Sequence, residues 1–224
     1  MKKFGYTLSE IVIALGLVSV IAVITAPLIG NILPDKNKIT VLKTYKIIND
    51  TVAELLNDPS KYRKREITDS SFVCPNNGYC YYVGLGDETT DIKALDGESI
   101  DKNNKFIILF GESLHATRKN IKDSSFYTKD GVAIPYTNNP PKDAIKWIIT
   151  KGSKYEDKQQ IGQKDFYYYG QDYIIKIDIN GNQYIFNVQY DGLVTGVDNL
   201  TKQYLKTADK LNNKKEDYEA AGIK

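Results

Sequence analysis

The sequence predicts an α+β fold, in which a long N-terminal α-helix packs on a small antiparallel β-sheet with long loops. Two patterns indicate the helix: an uninterrupted apolar run near the N-terminus, and an amphipathic stretch that follows it up to residue 57. Short segments rich in β-branched and aromatic residues, one pair of them joined by Asn-Gly, indicate the sheet in residues 58–199. Residues 200–224 form a highly charged C-terminal tail.

The first half of the predicted helix, which spans residues 6–57, is apolar over residues 6–33. Its central run, Ile11–Ile29, carries no charged residue and has about the ~20 residues that a membrane-spanning helix needs. Pro27 lies inside this run and lacks a backbone N–H group, so we expect it to kink or loosen the helix there.

Glu10 lies at the edge of the apolar run. An ionisable group in that position costs on the order of a few kcal/mol if it stays in lipid without a partner. No cation lies within helical reach on the apolar side. We therefore expect the carboxylate to find its cation on another chain.

The second half of the helix, from Asp35 to Asn57, is amphipathic. Apolar residues recur there at three- and four-residue spacing, which places them on one face of a helix that can pack on a sheet. The stripe consists of Val41, Leu42, Tyr45, Ile48, Val52, Leu55 and Leu56. Asp58-Pro59 is expected to end the helix.

The strands are predicted from composition and from their turns. The candidates are Tyr79–Val83, Phe106–Phe110, Gly131–Ile134, Ile145–Thr150, Tyr173–Ile179 and Gln183–Tyr190. Asp130-Gly131 and Asn180-Gly181 each predict a β-hairpin. Long loops are expected at residues 84–104 and 111–130. In the tail, the spacing of Leu200, Tyr204, Ala208 and Leu211 predicts a solvated helix that frays toward Lys224.

The overall charge argues against a partner that is recognised by charge alone. The chain has 30 basic and 28 acidic residues and a net charge of +2, so we predict no specific nucleic-acid partner. The basic clusters Lys61–Arg65 and Lys214-Lys215 could touch DNA, but a solvated face is the favoured interpretation. The aromatic run Phe166–Tyr173 could serve adhesion or sugar binding, although cross-strand packing in a sheet is favoured.

Cys74 and Cys80 flank a Pro-Asn-Asn-Gly turn that would bring them together, which favours a structural disulfide. The alternative, a metal site, would need further Cys or His residues nearby, and the only histidine, His115, is far away in sequence. His115 is interpreted as a loop or surface residue. Since no catalytic motif is recognisable, the chain is not predicted to be an enzyme.

Oxygen-bearing side chains alternate at Asp178, Asn180 and Asn182, a pattern that suggests calcium. However, residues 183–190 contain no glutamate that would complete an EF-hand-like ligand set. A plain hairpin turn is therefore favoured, no cofactor is predicted, and a calcium site near these three residues is kept as the alternative.

A short basic leader at the N-terminus ends at Gly5, and the apolar segment follows it without a break. The string reads Lys2-Lys3-Phe4-Gly5-Tyr6-Thr7-Leu8-Ser9-Glu10. It resembles the class III signal of type IV pilins and type II secretion pseudopilins. The resemblance implies that residues 1–5 are a leader cut after Gly5 by a membrane peptidase, which methylates Tyr6. Family members most often start with Phe at that position; Glu10 matches the family's glutamate, and Pro27 a proline that many members carry.

The resemblance implies a bacterial structural subunit that self-assembles through its N-terminal helices into an extracellular filament. The expected partners are other copies of the chain, the prepilin peptidase, the pilus or type II secretion assembly machinery, and the inner membrane before assembly. A type II secretion pseudopilin, with a periplasmic filament, or a minor pilin is an alternative within the family. A membrane-anchored enzyme or binding domain is the alternative from another class.

Overall fold

The computed structural model describes residues 36–68, 70–88 and 92–206. The chain divides into two compact units, residues 1–39 and 40–224, and only residues 36–39 of the first are described. The predicted leader and the apolar half of the helix therefore lie outside the described residues. Helices together with a β-sheet make the fold α+β, as predicted.

Helix α1 (Lys36–Asn57) corresponds to the amphipathic half of the predicted helix. The side chains that it buries recur at three- and four-residue spacing, as a one-sided helix requires. They are Val41, Thr44, Ile48, Thr51, Val52 and Leu55. Beyond Asn57 the chain turns: Pro59 disfavours a helical residue before it, and the Asp58 side chain accepts a hydrogen bond from the backbone N–H of Ser60 at 2.9 Å.

The sheet contains eight strands and is larger than predicted. The strands are β1 (Arg65–Glu66), β2 (Tyr79–Tyr82), β3 (Ser125–Lys129), β4 (Val132–Ile134), β5 (Ile145–Ile161), β6 (Lys164–Ile179), β7 (Asn182–Val188) and β8 (Val194–Gly196). Their order along the main path is β1-β2-β6-β5-β3-β4. β7 lies beside β6, and β8 beside β7.

The prediction of a purely antiparallel sheet is wrong, because β2 pairs with β6 in parallel. Sequence signals for strand pairing come from short turns, and a short turn can join only antiparallel neighbours. β2 and β6 are instead brought together by a connection that includes a helix and three other strands. No local pattern reports such a pairing.

The strand predicted at Phe106–Phe110 is also wrong, because these residues belong to helix α2 (Lys105–Ser113). A continuous apolar run has neither the period of a helix nor that of a strand, so its pattern cannot decide between them. Every residue from Lys105 to Gly111 is buried. The long loop predicted at residues 111–130 is shorter in the structure, because α2 extends to Ser113 and β3 begins at Ser125.

Strands β5 and β6 extend well beyond the predicted Ile145–Thr150 and Tyr173–Ile179. The parts of the two strands beyond these predicted ranges form a two-stranded ribbon, which is closed by a turn with Gly162 at φ 65°. The added part of β5 is polar and exposed, so it lacks the alternation that marks a half-buried strand. The two predicted hairpins are confirmed, with left-handed φ values at Asp130-Gly131 and Asn180-Gly181.

The helices pack on one face of the sheet, which we call the inner face. The Tyr45 ring of α1 lies 6.2 Å from that of Phe186, while Phe106 of α2 stacks on Tyr173 with ring centroids 4.1 Å apart. Phe186 pairs with Ile175, two residues from Tyr173 on β6, so both helices meet the same face. The opposite, outer face is half-buried or exposed along β6, except at Gly170, which is buried.

The tail was predicted to be a solvated helix, but its first residues pack against the sheet. Residues 199–206 are helical, and Thr201 and Leu205 are buried on the inner side, where Tyr204 stacks on Tyr184 at 6.0 Å. Leu200, expected on the apolar stripe, is 37% exposed. Ala208, Leu211 and the rest of the tail lie outside the described residues.

Candidate functional site

The residues that the sequence predicts for processing and assembly are Gly5, Tyr6, Glu10 and Pro27. All of them lie outside the described residues, so the structure gives no geometry for them. Within the part of the chain that the structure describes, no helix is long and apolar enough to cross a membrane. The functional geometry that can be described belongs to the globular domain.

Cys74 and Cys80 form a disulfide, with Cα atoms 5.8 Å apart. The turn between them places Asn76 and Asn77 at φ 51° and 54°. The turn is fixed to the inner face of β6, since the Asn76 amide donates a hydrogen bond to the Tyr167 hydroxyl at 3.2 Å. A Cβ atom on Gly78 would lie 2.8 Å from the Tyr167 ring. The disulfide therefore locks a loop that covers this end of the sheet.

Four aromatic rings, two on each strand, lie next to one another on the outer face of β2 and β6 and form the outer aromatic ladder: Tyr79, Phe166, Tyr81 and Tyr168. In the parallel pairing Tyr79 lies opposite Phe166, and Tyr81 opposite Tyr168. Successive ring centroids are 5.4, 6.4 and 5.9 Å apart, with ring planes 20°, 14° and 28° from parallel. This is offset stacking, in which neighbouring rings overlap only in part. All four side chains remain half-buried.

The run Phe166–Tyr173 thus divides between the two faces of β6. Tyr167 and Tyr173 are buried on the inner face, as cross-strand packing predicts, while Phe166 and Tyr168 belong to the ladder. The ladder itself could not be predicted, because it needs the parallel pairing that aligns Tyr79 and Tyr81 with the run.

Two lysines contact the ladder from opposite ends. The Nζ atom of Lys64 lies 4.5 Å from the ring centroid of Tyr168 and 5.1 Å from that of Tyr81. Lys164 Nζ lies 5.1 Å from the Tyr79 centroid and donates a hydrogen bond to the Tyr79 hydroxyl at 3.1 Å. All three contacts are cation–π interactions, and both lysines are exposed.

Polar side chains border the ladder on both sides. Glu66 of β1 lies opposite Tyr81, while Asp157 and Gln159 of β5 lie opposite Tyr168 and Phe166. Residues directly opposite each other in a sheet share a face, so these three point outward with the rings. The Gln159 amide donates a hydrogen bond to Asp157 at 3.2 Å. The outer face therefore has an aromatic centre and a polar border.

A second ring pair continues the aromatic surface along β6. Tyr155 and Tyr190 stack with centroids 3.9 Å apart, and the Tyr190 ring covers Gly170, where a Cβ atom would be 2.6 Å from it. A hydrogen bond with Tyr155, together with burial, raises the pKa of Tyr190 to about 12.

A buried ionic cluster lies on the inner side. Asp87 Oδ2 lies 3.0 Å from Arg65 Nε and 3.4 Å from Lys105 Nζ, and Lys105 Nζ also lies 4.5 Å from the Tyr62 ring centroid. Burial, with Tyr173 and Asp87 nearby, raises the pKa of Tyr62 well above its ordinary value. Sequence analysis missed Asp87 and Lys105; the one signal was a lysine directly before an apolar run.

The cluster corrects only part of the interpretation of Lys61–Arg65 as a solvated basic face. Arg63 and Lys64 are exposed as predicted, but Arg65 is engaged with the buried Asp87, and Tyr62 is 2% exposed. Lys61 lies 3.6 Å from Asp58 in a partly exposed ion pair. His115 is an exposed loop residue at φ 62°, as predicted.

The calcium alternative concerns the turn between β6 and β7. Asp178 Oδ1 accepts a hydrogen bond from the Gly181 backbone N–H at 2.9 Å, so this carboxylate already stabilises the turn. Asn180 has φ 54° and Gly181 φ 80°, as a tight hairpin turn requires. Among the described residues, no group of three or more His, Cys, Asp or Glu side chains could hold a metal ion.

A groove of about 380 Å³ lies beside the start of α2. Its polar side chains fix the surrounding loops: Asp101 accepts hydrogen bonds from the Asn103 backbone and the Asn104 amide, and Arg118 donates one to the Ser99 carbonyl oxygen at 2.6 Å.

Comparisons of the chain with protein-family models, curated proteins and solved structures found no match.

Proposed function

We propose that this chain is a structural subunit of a type IV pilus-like filament. The observation that carries the proposal is the N-terminal string from Lys2 to Glu10, with Gly5 directly before an apolar run. An ordinary secretory signal has its small-residue cleavage site after the apolar core, whereas here the fitting small residue precedes it. Cleavage after Gly5 would leave the apolar segment on the mature protein.

The described domain supports this proposal through α1. The helix begins at Lys36, soon after the apolar run ends, and its buried stripe anchors it to the inner face of the sheet. In the proposed subunit, α1 continues the apolar segment as one helix over residues 6–57, kinked or loosened at Pro27. The apolar halves of many subunits then bundle, and the globular domains face water.

Assembly is proposed to depend on Glu10 and the N-terminal amine of Tyr6. The carboxylate of one subunit would neutralise the ammonium group of its neighbour, and methylation keeps that positive charge. A buried ion pair adds little net stability but can fix the register between chains. Apolar packing along residues 11–33 would supply most of the association free energy.

The disulfide also fits an exported protein, since disulfides persist in oxidising compartments. The proposed partners are the prepilin peptidase, the assembly machinery, the inner membrane before assembly, and other copies of the chain. No specific nucleic-acid partner and no cofactor are proposed.

Mass spectrometry of the mature protein tests the proposal directly. We expect a chain that starts at Tyr6 and is methylated on its amine. An intact Met1 would contradict the pilin assignment and favour a membrane-anchored domain of another class. Cleavage C-terminal to Pro27 would also contradict it, because it would remove most of the apolar run. Imaging of purified surface filaments, with sequencing of their subunit, separates a major pilin from a minor pilin or a pseudopilin.

A further inference from the structure

We propose that the outer aromatic ladder (Tyr79, Phe166, Tyr81 and Tyr168) is a binding site for a linear, uncharged glycan chain. This inference goes beyond the filament and does not depend on it, because every residue that it uses belongs to the globular domain. The ring row, its polar border and its position on the outer face each support the proposal.

The first argument is that these rings lie where the fold does not need them. The core packs on the inner face, where Tyr167 and Tyr173 are 5% and 4% exposed. Outward positions in a sheet with one covered face are ordinarily polar, as Asp157 and Gln159 are on the neighbouring strand β5. The rings, each of which remains partly exposed, instead form a contiguous aromatic surface, and contiguous apolar surface is a feature of ligand-binding sites.

The second argument is the repeat of the rings. Successive centroids, which alternate between β2 and β6, are 5.4, 6.4 and 5.9 Å apart, comparable to the length of one pyranose unit. Offset stacking leaves part of each ring accessible to the apolar C–H face of a sugar. The four rings, two on each strand, therefore offer neighbouring contacts to consecutive units of a polymer that presents similar apolar faces.

The third argument is the chemistry of the border. Glu66, Asp157 and Gln159 on the flanking strands offer acceptors and an amide, and the tyrosine hydroxyls add groups that both donate and accept. Sugar hydroxyls need this mixture around an apolar centre. The charges of Lys64 and Lys164 are matched by those of Glu66 and Asp157, so the surface favours an uncharged ligand over a polyanion.

The test uses full-length protein in a detergent without a sugar headgroup, titrated calorimetrically with cellohexaose and chitohexaose. We expect at least one hexasaccharide to bind, and more tightly than its disaccharide, because a disaccharide covers only part of the ladder. Replacing Tyr81 and Tyr168 together by Thr should weaken binding about tenfold or more, since it removes two of the four rings and the tenfold change corresponds to about 1.4 kcal/mol.

Tyr136→Thr is the matched control. Tyr136 is also a half-buried tyrosine, with another ring 5.5 Å away at Tyr127 and the Lys122 Nζ 5.5 Å from its own centroid, but it lies outside the ladder. Its replacement should change glycan affinity by no more than about twofold. Tyrosine nitration of the wild-type protein gives a second measurement that needs no variant. Bound hexasaccharide should protect Tyr81 and Tyr168 but not Tyr136.

Three results would overturn the proposal. They are the absence of hexasaccharide binding to the folded protein, equal affinity of the Tyr81/Tyr168 double variant, and nitration of the ladder that the hexasaccharide does not slow. Binding of oligothymidylate in place of either glycan would also overturn it and would assign the surface to single-stranded nucleic acid.

Discussion

Lys105 Nζ lies 3.4 Å from Asp87 Oδ2, and the two side chains are 1% and 0% exposed. Arg65 Nε lies 3.0 Å from the same oxygen atom. These contacts join β1, the loop after β2 and the start of α2, three segments that are distant in sequence. This carboxylate compensates one buried and one largely buried cation, so its removal would leave their charges exposed to an apolar interior.

Replacement of Asp87 by Asn should destabilise the domain strongly. The variant leaves Lys105 and Arg65 buried without this counter-charge, and removing one partner of a buried pair costs about 3–5 kcal/mol. Urea unfolding followed by circular dichroism measures the change. Asp50→Asn is the control, because Asp50 pairs with Lys46 at an exposed position and should matter by less than about 0.5 kcal/mol. Equal midpoints for the two variants would contradict the prediction.

Glu10→Ala should abolish or severely reduce filaments while leaving membrane insertion intact. Removing the carboxylate lowers the cost of insertion, but it leaves the neighbour's N-terminal cation unpaired, at a cost of about 3–5 kcal/mol per subunit. Glu10→Gln should be nearly as defective, because it also lacks the charge. Electron microscopy of sheared surface fractions, beside a membrane immunoblot, tests this. Normal filaments from Glu10→Ala would refute the proposed docking mechanism.

Asp198 should give the domain a pH-dependent component of stability. Partial burial alone would raise its pKa, but hydrogen bonds from Thr201 and the Ile185 backbone lower it below the ordinary value. A lowered pKa in the folded state adds stability above the unfolded-state value of about 3.9, and this is lost as pH falls through the folded value. The difference in unfolding free energy between wild type and Asp198→Asn should therefore be constant above about pH 5 and decrease below pH 4.

Thermal or urea unfolding of both proteins from pH 2 to pH 7 measures that difference, since the other carboxylates are common to both and cancel. Asp198→Ala also removes the cap of the helix at residues 199–206 and should cost about 1 kcal/mol at neutral pH. A difference between wild type and Asp198→Asn that did not vary with pH would rule out the charge as its cause.

Gly86→Ala should be more disruptive than Gly97→Ala. A Cβ atom at Gly86 would lie 2.6 Å from the Gly170 Cα and from the Tyr169 carbonyl oxygen, which are rigid backbone atoms. Gly97 has open space around it, but its φ of 84° makes alanine strained, at a cost of roughly 1 kcal/mol. Unfolding midpoints of the two variants compare steric exclusion with backbone strain. A milder effect at Gly86 would mean that its loop shifts freely away from β6.

Loss of the disulfide should lower stability by about 2 kcal/mol, the chain-entropy value for so short a loop. The double variant Cys74→Ser, Cys80→Ser avoids mispaired thiols, and its unfolding is compared with that of the oxidised wild type. Asn76→Ala is a control that keeps the disulfide but removes the hydrogen bond to Tyr167. Identical stability of the wild type and the double variant would show that the loop is equally restrained without the bond.

The elements that sequence analysis predicted correctly are those specified by nearby residues. The stripe of α1, the turn at Asn180-Gly181 and the pairing of Cys74 with Cys80 each depend on a few adjacent positions. Their spacing and turn chemistry therefore carry enough information.

The features that were missed depend on distant residues. Helix α2 is apolar on every side because both the sheet and the loops cover it, so its periodicity is hidden. The part of β5 that follows Thr150 is held by its hydrogen-bonded pairing with β6 rather than by an apolar face of its own. The Asp87 cluster and the ladder arise only where segments from separate parts of the chain meet.

The parallel pairing of β2 with β6 also sets an order in which the domain can fold. The turns at Gly162 and Gly181 let β5, β6 and β7 assemble from neighbouring residues, with small losses of chain entropy. β2 can add its hydrogen bonds only after the chain from Val83 to Gln163 has closed into a large loop, which is a slower event. The aromatic outer surface is therefore completed late, and variants in β2 should accelerate unfolding more than they slow folding.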